Sequence, residues 1–94
     1  MAMQASYDFL RAARALLDIK PSDLAEKAKV STRSIVRIEA REPVGLEISM
    51  RVQKALEDLG VEFLPETKSR GPAMRVRRGI VKTIGFQLSD ARSR

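Results

Sequence analysis

The chain has 94 residues, enough for one small domain with a modest core, and its 44% hydrophobic content is that of a globular chain, not a disordered one. It contains no cysteine and no histidine, which excludes disulfides, thiolate chemistry and the commonest metal ligands, and no apolar run approaches the length of a membrane span. The net charge of +6 is unevenly spread: residues 1–64 carry ten Lys/Arg against ten Asp/Glu, and residues 65–94 carry eight against two.

In chain order, Ser6 suits the N-cap of a first helix over about residues 7–17. Phe9, Leu10, Ala13, Leu16 and Leu17 recur at helical spacing as its apolar stripe, with Arg14 on the edge, where a long cation reaches the core boundary. Residues 18–20 connect to a second helix, for which Lys20 is a weak N-cap. Pro21 fits a first helical position, where a backbone donor is unpaired anyway, and Asp23 puts negative charge in the first turn. Leu24, Ala25 and Ala28 form that helix's apolar stripe, with Ala25 small enough for two backbones to cross closely. Val30 plugs the turn. Ser31 then reads as the N-cap of a third helix, whose Ile35 and Ile38 face inward and whose Thr32, Arg33, Ser34 and Arg37 face outward. Two short helices around a tight turn, the second positively charged, make a helix-turn-helix. Positions 29–41 hold Lys29, Arg33, Arg37 and Arg41 against Glu39 alone.

The run Glu42-Pro43-Val44-Gly45 breaks the helix, and a fourth is expected at about 46–59 with Ile48, Val52, Ala55, Leu56 and Leu59 on one face and Gly60 as its stop. Beyond Gly60 the period becomes two. Val61 and Phe63 alternate with Glu62 and Leu64, Pro65 ends the run, and residues 73–78 alternate again after a polar loop, which predicts a short hairpin. A lone two-stranded hairpin is marginal in water, so it must pack on the helices or pair with the strands of a second subunit; the latter fits a dimer. Residues 80–88 are a candidate third strand and 89–94 a frayed end. The expected organisation is a helix-turn-helix domain over 1–64 and a basic extension over 65–94.

Arg11 and Arg14, then LAEKAKVSTRSIVRIEA, then a helix ending ALEDLGVEF, together resemble the lambda-repressor-like (Cro/CI, XRE-type) DNA-binding domains over residues 7–64. The resemblance implies a mainly α fold of four to five helices, here with a short C-terminal β-hairpin. It also implies an interhelical salt bridge between Arg14 and Glu39, against the alternative of two solvated charges, and a dimer contact that includes the fourth helix. Lys29 stands where the family usually has a turn glycine, so a non-glycine must take a left-handed backbone there or the turn must differ. Pro21 replaces a glutamine that often touches the DNA backbone.

The expected function is sequence-specific binding of double-stranded DNA by a homodimeric transcriptional regulator on a palindromic operator. Thr32, Arg33, Ser34 and Arg37 are the base-reading candidates, because arginine pairs bidentately with guanine and hydroxyls bond to base edges. Lys20, Ser22, Ser31, Arg41, Arg75, Arg77 and Arg78 are the candidates for contacts to the DNA backbone. The bland alternative is that the outward quartet is only a solvated helix face. A different class is a protein-binding regulator of antitoxin or antiactivator type, holding a partner through its exposed strands or basic tail. An enzyme is not expected, since the acidic residues sit scattered at helix starts and beside arginines, with no paired carboxylates and no phosphate loop. No metal or cofactor is expected. RNA binding fits less well, because one tyrosine, three phenylalanines and no tryptophan leave no evident stacking platform. The N-terminus MAMQASYDF lacks a signal-peptide layout, so a cytoplasmic location is expected.

Overall fold

A computed structural model describes residues 4–79, which form four helices and one antiparallel two-stranded sheet. The elements are α1 (Tyr7–Leu17), α2 (Pro21–Ala28), α3 (Thr32–Glu39), α4 (Leu46–Asp58), β1 (Val61–Leu64) and β2 (Ala73–Val76). The expected third strand at 80–88 and frayed end at 89–94 lie outside the described residues. Among the described residues no helix is long and apolar enough to cross a membrane.

The helix starts follow their caps. Ser6 and Ser31 take extended backbone and their hydroxyls accept from the amides of Phe9 and Ser34, satisfying donors that the first turns of α1 and α3 leave open. Lys20 caps α2 through its backbone alone, with Pro21 just inside. The helix ends hold a surprise. α1 and α2 are capped by, and α3 is followed one residue beyond its cap Ala40 by, a non-glycine in left-handed backbone: Asp18 at φ 57°, Lys29 at 60° and Arg41 at 62°. Each is followed by an amide that reaches back five residues, Ile19 to Arg14, Val30 to Ala25 and Glu42 to Arg37, which satisfies carbonyls that the last turn would orphan. The turn thus keeps its usual form, and the side chain at Lys29 bears the strain.

The core gathers Leu10 and Ala13 of α1, Leu24, Ala25 and Ala28 of α2, Ile35 and Ile38 of α3, Val52, Ala55 and Leu56 of α4, and Val61 and Phe63 of β1. Two stripes are narrower or rotated relative to the sequence reading. Leu16 is 40% exposed, so α1 buries Leu10 and Ala13 fully and only half-buries Phe9 and Leu17. On α4 the buried face includes Ser49 and Gln53, while Ile48 and Leu59 are half-buried. Both polar groups are satisfied. The Ser49 hydroxyl donates to the Leu46 carbonyl, and Gln53 accepts from the Ala5 amide at 2.8 Å and donates to Glu57 at 3.1 Å. Gln53 thereby ties the buried Ala5, just ahead of α1, onto α4.

Gly60 leaves α4 with φ 115°, a conformation L side chains rarely adopt, and its carbonyl accepts from the Arg77 amide at 2.8 Å. β1 then pairs with β2 in the register Val61 opposite Val76 and Phe63 opposite Met74. Within the chain the hairpin packs on the helices: β1 lies against α4 and buries Val61 and Phe63.

These backbone positions give opposite expectations for two substitutions. Lys29→Gly relieves roughly 1–2 kcal/mol of left-handed strain but adds about 0.4–1 kcal/mol of unfolded-state entropy, so the fold gains up to about 1.5 kcal/mol. Gly60→Ala puts a side chain into strained backbone and loses about 1–3 kcal/mol. Urea unfolding of both variants against the parent checks the two signs.

Candidate nucleic-acid interface

α3 is an eight-residue helix whose placement follows from two isoleucines. Ile35 and Ile38 are 1% and 2% exposed, which fixes the rotation of the helix about its axis. At about 100° per residue, the side opposite them carries Arg33, Val36, Arg37 and Ala40, all exposed. Thr32 lies exposed at the flank. Ser34 is half-buried, and its hydroxyl lies 3.1 Å from that of Ser31, so both serines belong to the cap. The outward face therefore differs from the expected quartet: Arg33 lies at its centre with Arg37 and Val36 on either side, Thr32 lies at its edge, and Ser34 is committed to the N-terminus. The sequence carried the signal for Val36, since it lies three residues after Arg33. The expected division of the helix into inward isoleucines and an outward quartet leaves Val36 on neither side.

Arg33 has no hydrogen bond or ion pair among the described residues, and Arg37 only a loose one, its Nε 3.8 Å from a Glu42 carboxylate oxygen with both side chains about half-exposed. An exposed pair this long is weak, so both guanidinium groups can turn to an outside acceptor.

α1 anchors the far end of α3 through three contacts. Arg14 donates through Nε and Nη2 to both carboxylate oxygens of Glu39, the latter bond at 3.0 Å, and through Nη1 to the Ile19 carbonyl at 2.8 Å. The two side chains are 20% and 19% exposed, and the hydrogen bonds to Glu39 raise the Arg14 pKa above its ordinary value against the opposing effect of burial. Arg41 forms a second bidentate pair, with Asp8 in the first turn of α1, at 2.8 and 3.1 Å. The hydrogen bond from Arg41 holds the Asp8 carboxyl below the usual aspartate range. Third, the Tyr7 hydroxyl accepts from the Val44 amide at 3.0 Å and donates to its carbonyl at 3.4 Å, which fastens the loop after α3.

The backbone-contact candidates are scattered. Lys20 and Ser22 lie exposed at the start of α2, and Ser31 serves as the N-cap of α3. Arg41 spends Nε and Nη2 on Asp8, leaving Nη1 open. Arg75 is engaged by Glu62 across the hairpin at 3.1 Å, Arg77 donates its amide to Gly60, and Arg78 is exposed. The hairpin packs on α4, whereas α3 packs chiefly on α2 and α1. No hydrogen bond or ion pair among the described residues joins the hairpin arginines to those of α3. Nor do the described residues contain a cluster of three or more acidic side chains that could hold a metal ion.

No protein-family model matches the chain, and no curated protein matches it.

Arg14→Ala leaves the largely buried Glu39 without its partner and the Ile19 carbonyl without its donor, and is expected to cost about 1–3 kcal/mol. Arg51→Ala, which removes an exposed i,i+4 pair with Glu47, is expected to cost no more than about 0.5 kcal/mol. Melting temperatures of the two variants make the comparison, and equal losses would show the Arg14 pair to be superficial.

Proposed function

We propose that the protein is a sequence-specific double-stranded-DNA-binding regulator of the lambda-repressor-like helix-turn-helix class. In this reading α2 and α3 are the two helices of the motif, with α3 in the major groove, and the protein works by binding, without catalysis. The observation that carries the reading is the outward face of α3: two arginines four residues apart, exposed and free or loosely paired, on a helix that Ile35 and Ile38 hold at a fixed rotation. A guanidinium in that setting can meet the N7 and O6 acceptors of guanine together, a geometry that lysine or a freely rotating arm does not supply as well.

Size supports the dimeric part of the proposal. An eight-residue helix is about 12 Å long and spans roughly four base pairs, too few to single out one site in a genome. Two copies on the half-sites of a palindromic operator double the sequence read. The open Nη1 of Arg41, Lys20 and Ser22 at the start of α2, and the basic hairpin strand would meet phosphates, which set affinity and register without reading sequence.

Replacing Arg37 by alanine is expected to cost about 1–3 kcal/mol on the preferred duplex and to relax the preference at one base pair. Replacing Arg75 or Arg77 is expected to weaken binding about equally on all sequences. Titration of each variant against the preferred and a scrambled duplex at one salt concentration checks this, and an equal loss on both duplexes for Arg37→Ala would remove α3 from the role of reader.

A further inference from the structure

Val36 is 56% exposed in the middle of α3, and nothing in the fold accounts for it. Single valines on a surface are ordinary, but this one sits at an unfavourable place. A β-branched side chain loses rotamer freedom in a helix, and α3 has only eight residues in which to recover that loss by packing. Val36 contributes nothing to the core, which α3 fills with Ile35 and Ile38. A residue that breaks a local rule without a compensating contact inside the chain is a candidate for a contact outside it.

Its neighbours indicate the kind of contact. Val36 follows Arg33 by three residues, precedes Arg37 by one and Ala40 by four, so a compact apolar group lies beside two guanidinium groups on one exposed face. The arginines call for a polyanion with acceptor edges. The only apolar group that a DNA base edge offers in the major groove is the C5 methyl of thymine. We propose that Val36 is a specificity-determining residue that packs its isopropyl group on a thymine methyl adjacent to a base pair engaged by Arg33 or Arg37. This rests on the reading of α3 as the helix that enters the groove. The preferred half-site accordingly combines guanine with a neighbouring thymine, and α3 reads it by one apolar and two charged side chains.

The test uses the full chain and the duplex that it selects from a random-sequence library. Each thymine of that duplex is replaced in turn by deoxyuridine, which removes the C5 methyl and leaves pairing and every hydrogen-bonding group unchanged. At one thymine per half-site the replacement is expected to weaken binding by about fourfold, the worth of one buried methyl-sized group. Val36→Ala is expected to bind the thymine duplex about as weakly as the parent binds the uridine duplex, and no longer to distinguish the two. Alanine favours helix, so the variant keeps its fold, which circular dichroism verifies. The proposal is overturned if no uridine weakens the parent, or if Val36→Ala still discriminates at the same position. A selection that enriches no sequence overturns the reading of α3 itself, whereas a successful selection followed by uridine-insensitive binding overturns only the role of Val36.

Discussion

The rotation of α3 about its own axis is the constraint on which the rest of the interface depends. Ile35 and Ile38 are almost wholly buried, and burying a side chain of that size is worth about 1.5–3 kcal/mol, so turning the helix by one residue would expose the apolar pair and bury a charged side chain, Arg37 or Glu39. That penalty directs Arg33, Val36 and Arg37 outward together. A helix of only two turns has little stability of its own, however, and its direction must be held from both ends. Ser31 closes the first turn through the Ser34 amide, and Arg14 grips Glu39 at the last. Tyr7 and Asp8 then hold the chain that leaves it, at Val44 and Arg41.

α1 is therefore more than one wall of the core. Its inner stripe buries Leu10 and Ala13, and its polar side chains at positions 7, 8 and 14 all reach α3 or the residues just after it. Of these links the Arg14 contact carries the most weight, since the pair is mostly screened from water and each nitrogen of the guanidinium has an acceptor. A half-buried ion pair of this kind adds little net stability over an apolar substitute. Its consequence is geometric, because a bidentate bond tolerates few relative positions of α1 and α3. The exposed Arg41–Asp8 pair is weaker and more easily shared with another anion.

Much of this was readable in the residues, and the exceptions have physical causes. Periodicity and caps located α1 at 7–17 and set the division between α2 and α3, because serine hydroxyls and Pro21 mark helix starts by a local mechanism. The ends were harder. Asp18, Lys29 and Arg41 all adopt left-handed backbone without the glycine that usually announces it, and of the three only Lys29 stood at a recognisable turn. Polar residues in the core were invisible to a hydrophobic pattern: Gln53 is buried because Ala5 and Glu57 satisfy it, and those partners lie 48 and 4 residues away. Ser34 and Val36 on α3 differ from the expected outward quartet for a related reason. Residue type put the Ser34 hydroxyl outward and left Val36 on neither face, whereas the Ser31 cap draws Ser34 half under cover and helix geometry exposes Val36.

The central claim is that the outward face of α3 is the surface that meets DNA bases. Amide and side-chain shifts in an NMR titration with the selected duplex test it most directly, because they report every residue at once. The account predicts the largest changes at Thr32, Arg33, Val36, Arg37 and Ala40, smaller ones at Lys20, Ser22 and Arg41, and an unperturbed core at Leu56 and Phe63. Changes confined to residues 73–78, with α3 silent, would contradict it.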